Sequence, residues 1–354
     1  MTVLAFLVAL GVLVTMHEFG HFIVARWCGV QVLRFSVGFG RPLLRYTSKR
    51  SGTEYALAWI PLGGYVRMLD GREAPVQPEQ LERAFDHRPL YQRALVAAAG
   101  PIANLLLAVA LFTGMAMYGV QEPAHKPEAV IGAVITGSAA EQAGLRTGDK
   151  VLSVNGEEVT DALALRQYIR ASVAGQPQQW QIQRQAQVLD IGITPKAVQE
   201  QGYTVTRIGA ELGGPVQVVV VQRSVLESVY YGVQRTWDVA SMSLRMLGSM
   251  LVGQASVDNL SGPIGIAQYA GQSAQAGWQS YISFLALLSI SLGILNLLPI
   301  PALDGGHLMY YLWEFATGRP VSPQAALRLQ QLGMLLLLGL MAVAFFNDIS
   351  RVFG

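Results

Sequence analysis

The chain is short of cysteine, short of charge and free of repeats, and each shortage excludes something. Cys28 is the only cysteine, so no disulfide can form within the chain and no thiolate metal site can be built. As a small residue near a helix end it needs no special role. Charged residues make up 14% of the chain and hydrophobic ones 52%, whereas soluble domains carry about 25% charged residues. An ordinary soluble globule is thereby excluded. The formal net charge is +2 and no stretch forms a dense basic stripe, so no nucleic-acid partner is expected. The run that follows the first methionine has no basic leader and no small-residue cleavage site, and it holds His and Glu. It is not expected to be a removable signal peptide.

Four apolar stretches are present, each near the roughly 20 residues that cross a bilayer as a helix. They cover residues 1–25, 94–120, 281–307 (apolar to about residue 300) and 327–346. Lysine and arginine set the orientation. The first loop, residues 26–93, holds Arg26, Arg34, Arg41, Arg45, Lys49, Arg50, Arg67, Arg72, Arg83, Arg88 and Arg93. Arg319 and Arg328 mark the loop between the third and fourth spans, and nothing basic precedes the first. Both loops are expected to be cytoplasmic, with the N-terminus and the long middle segment outside.

The middle segment, residues 127–195, is polar enough to form its own domain. Val130 to Thr136 reads as a strand, and Gly137 to Ala140 opens a short helix that stops at Gly144. Lys150 to Val154 reads as a strand ending in the Asn155-Gly156 hairpin signal. Asp161 is placed to cap a helix through Val173, and Gln178–Arg184 and Gln187–Thr194 read as a closing strand pair. "GSAAEQAGLRTGDKVLSVNGEEV" resembles the core of a circularly permuted bacterial PDZ domain, a fold that takes an extended peptide or C-terminal tail at a sheet edge. In the following region, residues 205–265, the stretch 227–251 spaces Val229, Val233, Trp237, Ala240, Leu244, Leu247 and Leu251 as on one helical face. That suits an amphipathic helix on the membrane surface or on the protein body.

The sharpest local signal is "HEFGH" at His17 to His21. Two histidines four apart on a helix share a face and can reach one metal ion, and a glutamate beside the first can take a proton from a metal-bound water. Three ionisable groups in five residues of an apolar span cost several kcal/mol each unless they do something. A catalytic zinc takes three protein ligands and leaves one position open. The third is expected at the same membrane depth, near the end of the third span, where "NLLPIPALDGGH" offers Asp304 and His307. Pro299 and Pro301 break the helix there. The residues alone do not choose between the two ligands.

"HEFGH", then "GPIAN" at Gly100–Asn104, "LSGPIGIA" at Leu260–Ala267 and "NLLPIPALDGGH" at Asn296–His307 stand in the order found in the site-2 proteases. The chain resembles that family, peptidase M50, most closely its regulator of sigma-E protease branch, and the resemblance covers almost all of it. It implies a polytopic α-helical membrane protein of four transmembrane helices, with a membrane-associated β-loop and an inserted α+β PDZ domain. It also implies an intramembrane zinc metalloprotease of the bacterial inner membrane with one Zn2+ on His17, His21 and Asp304. Glu18 is then the catalytic base, Asn296 holds substrate near the scissile bond, and His307 is a supporting residue. Residues 54–68, "EYALAWIPLGGYVRM", read alone as a hairpin on the cytoplasmic loop. The resemblance makes them a membrane-reentrant β-loop that pairs with unwound substrate, with Gly63 and Gly64 permitting the close approach. The substrate implied is a single-span membrane protein already trimmed outside, an anti-sigma factor foremost, with signal-peptide remnants as a further class. That branch commonly has two PDZ domains, and this chain has room for one. The competing expectation is a receptor or scaffold with a structural metal, or a metal-ion carrier. Neither has a use for Glu18.

Overall fold

In a computed structural model the described residues are 2–123, 128–200, 203–213, 218–253 and 261–353. Met1, Pro127, residues 214–217 and residues 254–260, including Leu260 of the "LSGPIGIA" motif, lie outside them. The chain divides into two compact units, Met1–Tyr118 with Arg223–Gly354, and Gly119–Gln222.

The first unit opens with α1 (Thr2–Trp27), followed by strands β1 (Val32–Thr47) and β2 (Glu54–Met68) and helix α2 (Leu90–Tyr118). Both helices are long and apolar enough to cross a membrane. Large apolar side chains such as Val3, Leu4 and Leu106 point outward from them, an arrangement suited to lipid rather than water. They cross closely because Gly20 has no side chain: a Cβ there would collide with the Ala99 carbonyl and lie 2.7 Å from the Ala103 methyl. Small residues at the crossing are the usual means of packing helices in a membrane. In the sequence only β2 stands out. Its partner β1 has a poorer pattern because the two strands curl on each other: Val37 pairs with both Gly64 and Leu57, and Phe35 with both Val66 and Tyr55. Gly38 and Gly40 take the bend at φ 92° and 89°, values an L side chain avoids. Around it Phe39, Leu43, Leu44, Trp59 and Ile60 are exposed.

The second unit is an α+β insert. Its elements are β3 (Val120–Pro123), β4 (Ile131–Val134), α3 (Ala139–Gln142), β5 (Lys150–Val154), β6 (Glu157–Glu158) and α4 (Ala162–Ala171). Then come β7 (Gln178–Arg184), β8 (Gln187–Ile193), β9 (Lys196–Glu200), β10 (Tyr203–Arg207), β11 (Ala210–Leu212) and β12 (Val218–Val221). One sheet has the order β6-β5-β7-β8, packed on a core that includes Trp180, Ile131, Leu165, Ile182 and Ile193, all fully buried. Local signals place these elements well. Asn155 and Gly156 turn at φ 51° and 84°, as the tight hairpin requires, and Asp161 caps α4 by accepting from the Ala164 N–H at 2.8 Å. The unit is larger than residues 127–195, however. β4 pairs with β11 and β3 with β12, so the fold closes only at Gln222. Those partners are distant in sequence and leave no local pattern.

Asp149 anchors this core. It is 1% exposed and accepts from the Arg184 guanidinium and the Arg146 N–H, each at 2.8 Å. Burial opposes its ionisation, but those hydrogen bonds outweigh burial and hold the carboxyl below its ordinary value. A carboxyl depressed by folding stabilises at neutral pH, and that contribution is lost as pH falls through its lowered value. Asp149→Asn is therefore expected to cost the insert about 2 kcal/mol at pH 7 and to flatten its acid dependence. Hydrogen exchange of insert peptides between pH 3 and 7 measures both.

The first unit resumes with α5 (Val225–Leu251), α6 (Pro263–Ala276), α7 (Trp278–Leu297), α8 (Asp304–Thr317) and α9 (Pro323–Phe353). Among the described residues, α7 and α9 bring to four the helices long and apolar enough to span a membrane. α5 starts in a capping box between Ser224 and Glu227 and is amphipathic, but part of its bulky stripe faces away from the body. Val229, Val233, Trp237 and Leu244 are exposed, whereas Ser228 and Thr236 are buried. Gly232 between them lies against the α2 backbone, where a Cβ would be 2.7 Å from the Val109 carbonyl. These small residues let α5 lie close to α2, and Tyr231, Val239, Ala240 and Leu247 pack beside them on the core formed by α2 and α7. α6 has no side-chain cap of its own. Asp348 of α9, 2% exposed, accepts from the N–H groups of Gly262, Ile264 and Gly265 at 2.9–3.0 Å, which accounts for the glycines of that motif. The third apolar segment is not one helix from 281 to 307. α7 ends at Leu297, and Asp304 opens a separate helix, because Pro299 and Pro301 offer no N–H and disfavour helix in the residues before them.

Candidate metal centre

Three elements build the site. α1 puts His17 and His21 on one face, one turn apart. α8 puts Asp304 at its first position, after a loop in which Ala302 is held at φ 91°. A non-glycine residue there is strained, so the loop must be held by its surroundings. Gly306 supplies part of that hold: a Cβ there would lie 2.6 Å from the Ile300 carbonyl. A Cβ at Gly305 would collide with the Leu298 carbonyl. The two glycines after Asp304 thus let the first turn of α8 sit on the chain leaving α7. At the other end of α8, Glu314 accepts two hydrogen bonds from Arg93 of α2, at 2.6 and 3.1 Å, a bidentate pair that fixes orientation as well as distance.

The result is a compact triad. His17 Nε2 and His21 Nε2 lie 3.2 and 3.5 Å from Asp304 Oδ2 and 3.3 Å from each other. Donors bound tetrahedrally at about 2.0–2.1 Å from one ion sit about 3.3–3.4 Å apart, so the spacing fits zinc. His307 lines the same cavity but is not part of the triad, which among the described residues is His17, His21 and Asp304. His21 Nδ1 donates to the Val96 carbonyl at 2.7 Å, leaving its Nε2 lone pair free. Gly100 of α2 makes the room: a Cβ there would run into His21 Nε2 and lie 2.8 Å from His17 Cε1.

Glu18 is buried beside the triad in a cavity of about 370 Å3 that also exposes Tyr65, Asp70, Arg72 and Tyr311. Gly64 of β2 borders it. A Cβ there would lie 2.8 Å from Glu18 Cγ and 2.7 Å from the Ser36 carbonyl, so this glycine lets β2 lie against Glu18. At Gly63 a Cβ would enter the Phe39 ring. Asn296 is half-buried in the last turn of α7 and is not among the residues lining the cavity. Gly100, Asn104 and the Arg93–Glu314 pair were not singled out as site residues from the sequence. "GPIAN" carried the signal for the first two, and nothing local marks the pair.

A metal-binding triad with an adjacent buried glutamate, on a helix apolar enough to span a bilayer, defines the class of membrane-embedded metallopeptidases. Comparison then supplies the family: the sequence pattern of peptidase family M50 matches residues 5–340, and the chain belongs to that family, the site-2 proteases. It is a metalloprotease. The Escherichia coli protein named regulator of sigma-E protease RseP is 34% identical, with 98% of each chain covered. A Ralstonia nicotianae protein, named as a candidate zinc metalloprotease, is 35% identical over 458 positions covering 100% of this chain and 99% of its own. A Rhizobium meliloti protein is 37% identical over 376 positions, covering 100% and 97%. The Ralstonia alignment is about 100 positions longer than this chain and the Rhizobium alignment about 20. A Listeria monocytogenes PDZ domain aligns with 26% of this chain and 93% of its own at 16% identity and a TM-score of 0.23. The fold of the insert rests on its own strands and helices.

With Gly64 against Glu18, Gly64→Val is expected to slow proteolysis by more than tenfold while leaving metal content unchanged. Turnover and metal analysis on one preparation measure it.

Proposed function

We propose that this chain hydrolyses peptide bonds within the transmembrane segments of single-span proteins, using one zinc ion held by His17, His21 and Asp304. The observation that carries the reading is the triad's spacing of 3.2–3.5 Å beside a buried glutamate. A bound zinc ion would polarise the scissile carbonyl and acidify a water molecule. Glu18 accepts the proton of that water and returns it to the leaving amine. β1 and β2 form the membrane-reentrant β-loop, a role supported by the exposed apolar residues at its bend. The edge at Gly63 and Gly64 then receives substrate backbone that has lost its helical hydrogen bonds, with Asn296 holding it near the cut.

The protein sits in the bacterial inner membrane with its N-terminus and insert in the periplasm and the metal near the cytoplasmic side, a reading supported by the arginines of residues 26–93. Its substrate is an anti-sigma factor already cut outside, in envelope stress signalling, with signal-peptide remnants as a further class. The insert is a single PDZ domain. A groove of about 570 Å3 between α4 and the strands near Ile208 supports its holding a peptide or C-terminal tail. The test is a single-span substrate in liposomes, with products mapped by mass spectrometry. Cuts inside the apolar segment are expected, made faster by a glycine or proline placed there. Cuts confined to the flanking soluble parts would overturn the reading.

A further inference from the structure

The two histidines of the triad are held differently at their far nitrogens. His21 Nδ1 faces the Val96 carbonyl at 2.7 Å. A carbonyl only accepts, so that nitrogen carries the proton and Nε2 is free to bind metal. His17 Nδ1 faces the side-chain amide of Asn104 at 3.2 Å. Asn104 is fully buried, and its Oδ1 is a buried atom with no hydrogen-bond partner. The two ends of a primary amide have nearly the same shape, and which one faces a partner is decided by the partner's hydrogens. If Nδ2 faces His17, the imidazole keeps its proton on Nε2, the atom aimed at Asp304 and His21. If Oδ1 faces His17, the proton moves to Nδ1, the unpartnered oxygen gains a donor, and Nε2 is free to bind.

We propose that Asn104 is the positioning residue of the metal centre: its Oδ1 accepts from His17 Nδ1–H and so sets the tautomer in which His17 is a ligand. The assignment rests on the metal reading above. The fold supports the precision it needs. The Asn104 carbonyl accepts from Ser289 Oγ of α7 at 2.7 Å, and Ser289 is fully buried. Three residues earlier, the Pro101 carbonyl would lie 3.0 Å from a Cβ at Gly293. α2 is thus locked to α7 on one side while Asn104 reaches α1 on the other. A metal-bound histidine commonly donates its second nitrogen to a carbonyl or carboxylate, and losing such a partner costs about 10–100-fold in metal affinity.

The test uses the full-length protein in detergent and reads zinc affinity by competition with a chromophoric chelator. Asn104→Leu keeps the volume and removes the acceptor, and its affinity is expected to fall about 10–100-fold. Asn104→Asp is decisive because an ionised carboxylate can accept and has no proton to donate: affinity, read at pH 7 and above, is expected to match or exceed that of the unmodified protein. A loss in Asn104→Asp as large as in Asn104→Leu would overturn the proposal, as would unchanged affinity in a folded Asn104→Leu. If Asn104→Leu does not fold, the Asp variant alone decides. His17→Ala, expected to lose zinc far more severely, separates the two readings. Unmodified protein that binds no zinc overturns the metal centre itself, whereas normal binding that is indifferent to residue 104 overturns only the role of Asn104.

Discussion

Glu18→Gln is expected to abolish cleavage of a transmembrane substrate, by roughly 10²–10⁴-fold for loss of a general base, while zinc stays bound. The separation follows from the geometry. Glu18 contributes no atom to the triad of His17, His21 and Asp304, so the ligand set survives the substitution. Glutamine has the same shape, so it keeps the contact with Gly64, where only a hydrogen fits beside the Glu18 side chain. What is lost is the carboxylate beside the triad that could take a proton from water. Metal analysis and product mapping on the same sample check both halves. A variant that still cuts at the normal rate would remove Glu18 from the mechanism, and one that cuts nothing because its zinc is gone would make Glu18 a structural residue.

Asp304→Ala and His307→Ala are expected to diverge sharply. Removing Asp304 leaves two imidazoles, and zinc affinity should fall by more than the roughly 10–100-fold typical of losing an outer partner, with activity lost alongside. His307 faces the same cavity and stacks edge-on against Tyr310 with ring centroids 5.9 Å apart, but no metal-binding atom of it joins the triad. His307→Ala is therefore expected to keep its zinc and lose activity by a smaller factor, through the wall of the cavity. Equal zinc loss in the two variants would return His307 to the ligand set.

The parts of this protein that were legible in its sequence are those decided within a few residues. "HEFGH" in an apolar run offers two candidate ligand positions and a candidate base, because helical geometry alone puts residues four apart on one face and the membrane penalises idle charge. The four spans, the Asn155-Gly156 turn and the Asp161 cap are equally local. The α5 stripe was legible as amphipathic, but which face met the protein was not. Ser228, Gly232 and Thr236 allow the close approach to α2, and small residues give no signal on a hydrophobic scale.

What tertiary structure decided lies between elements far apart in the chain. That Asp304 rather than His307 meets His17 and His21, open from the residues alone, depends on a loop whose strained Ala302 and two following glycines aim the first turn of α8 at α1. The insert's true extent depended on β4 finding β11 and β3 finding β12. Asn104 met His17 only because α1, α2 and α7 pack through glycines and alanines at Gly20, Ala99 and Gly293. The first set follows from fixed covalent geometry repeated every turn. The second comes from many weak contacts summed over a packed bundle, and no short stretch of sequence contains that sum.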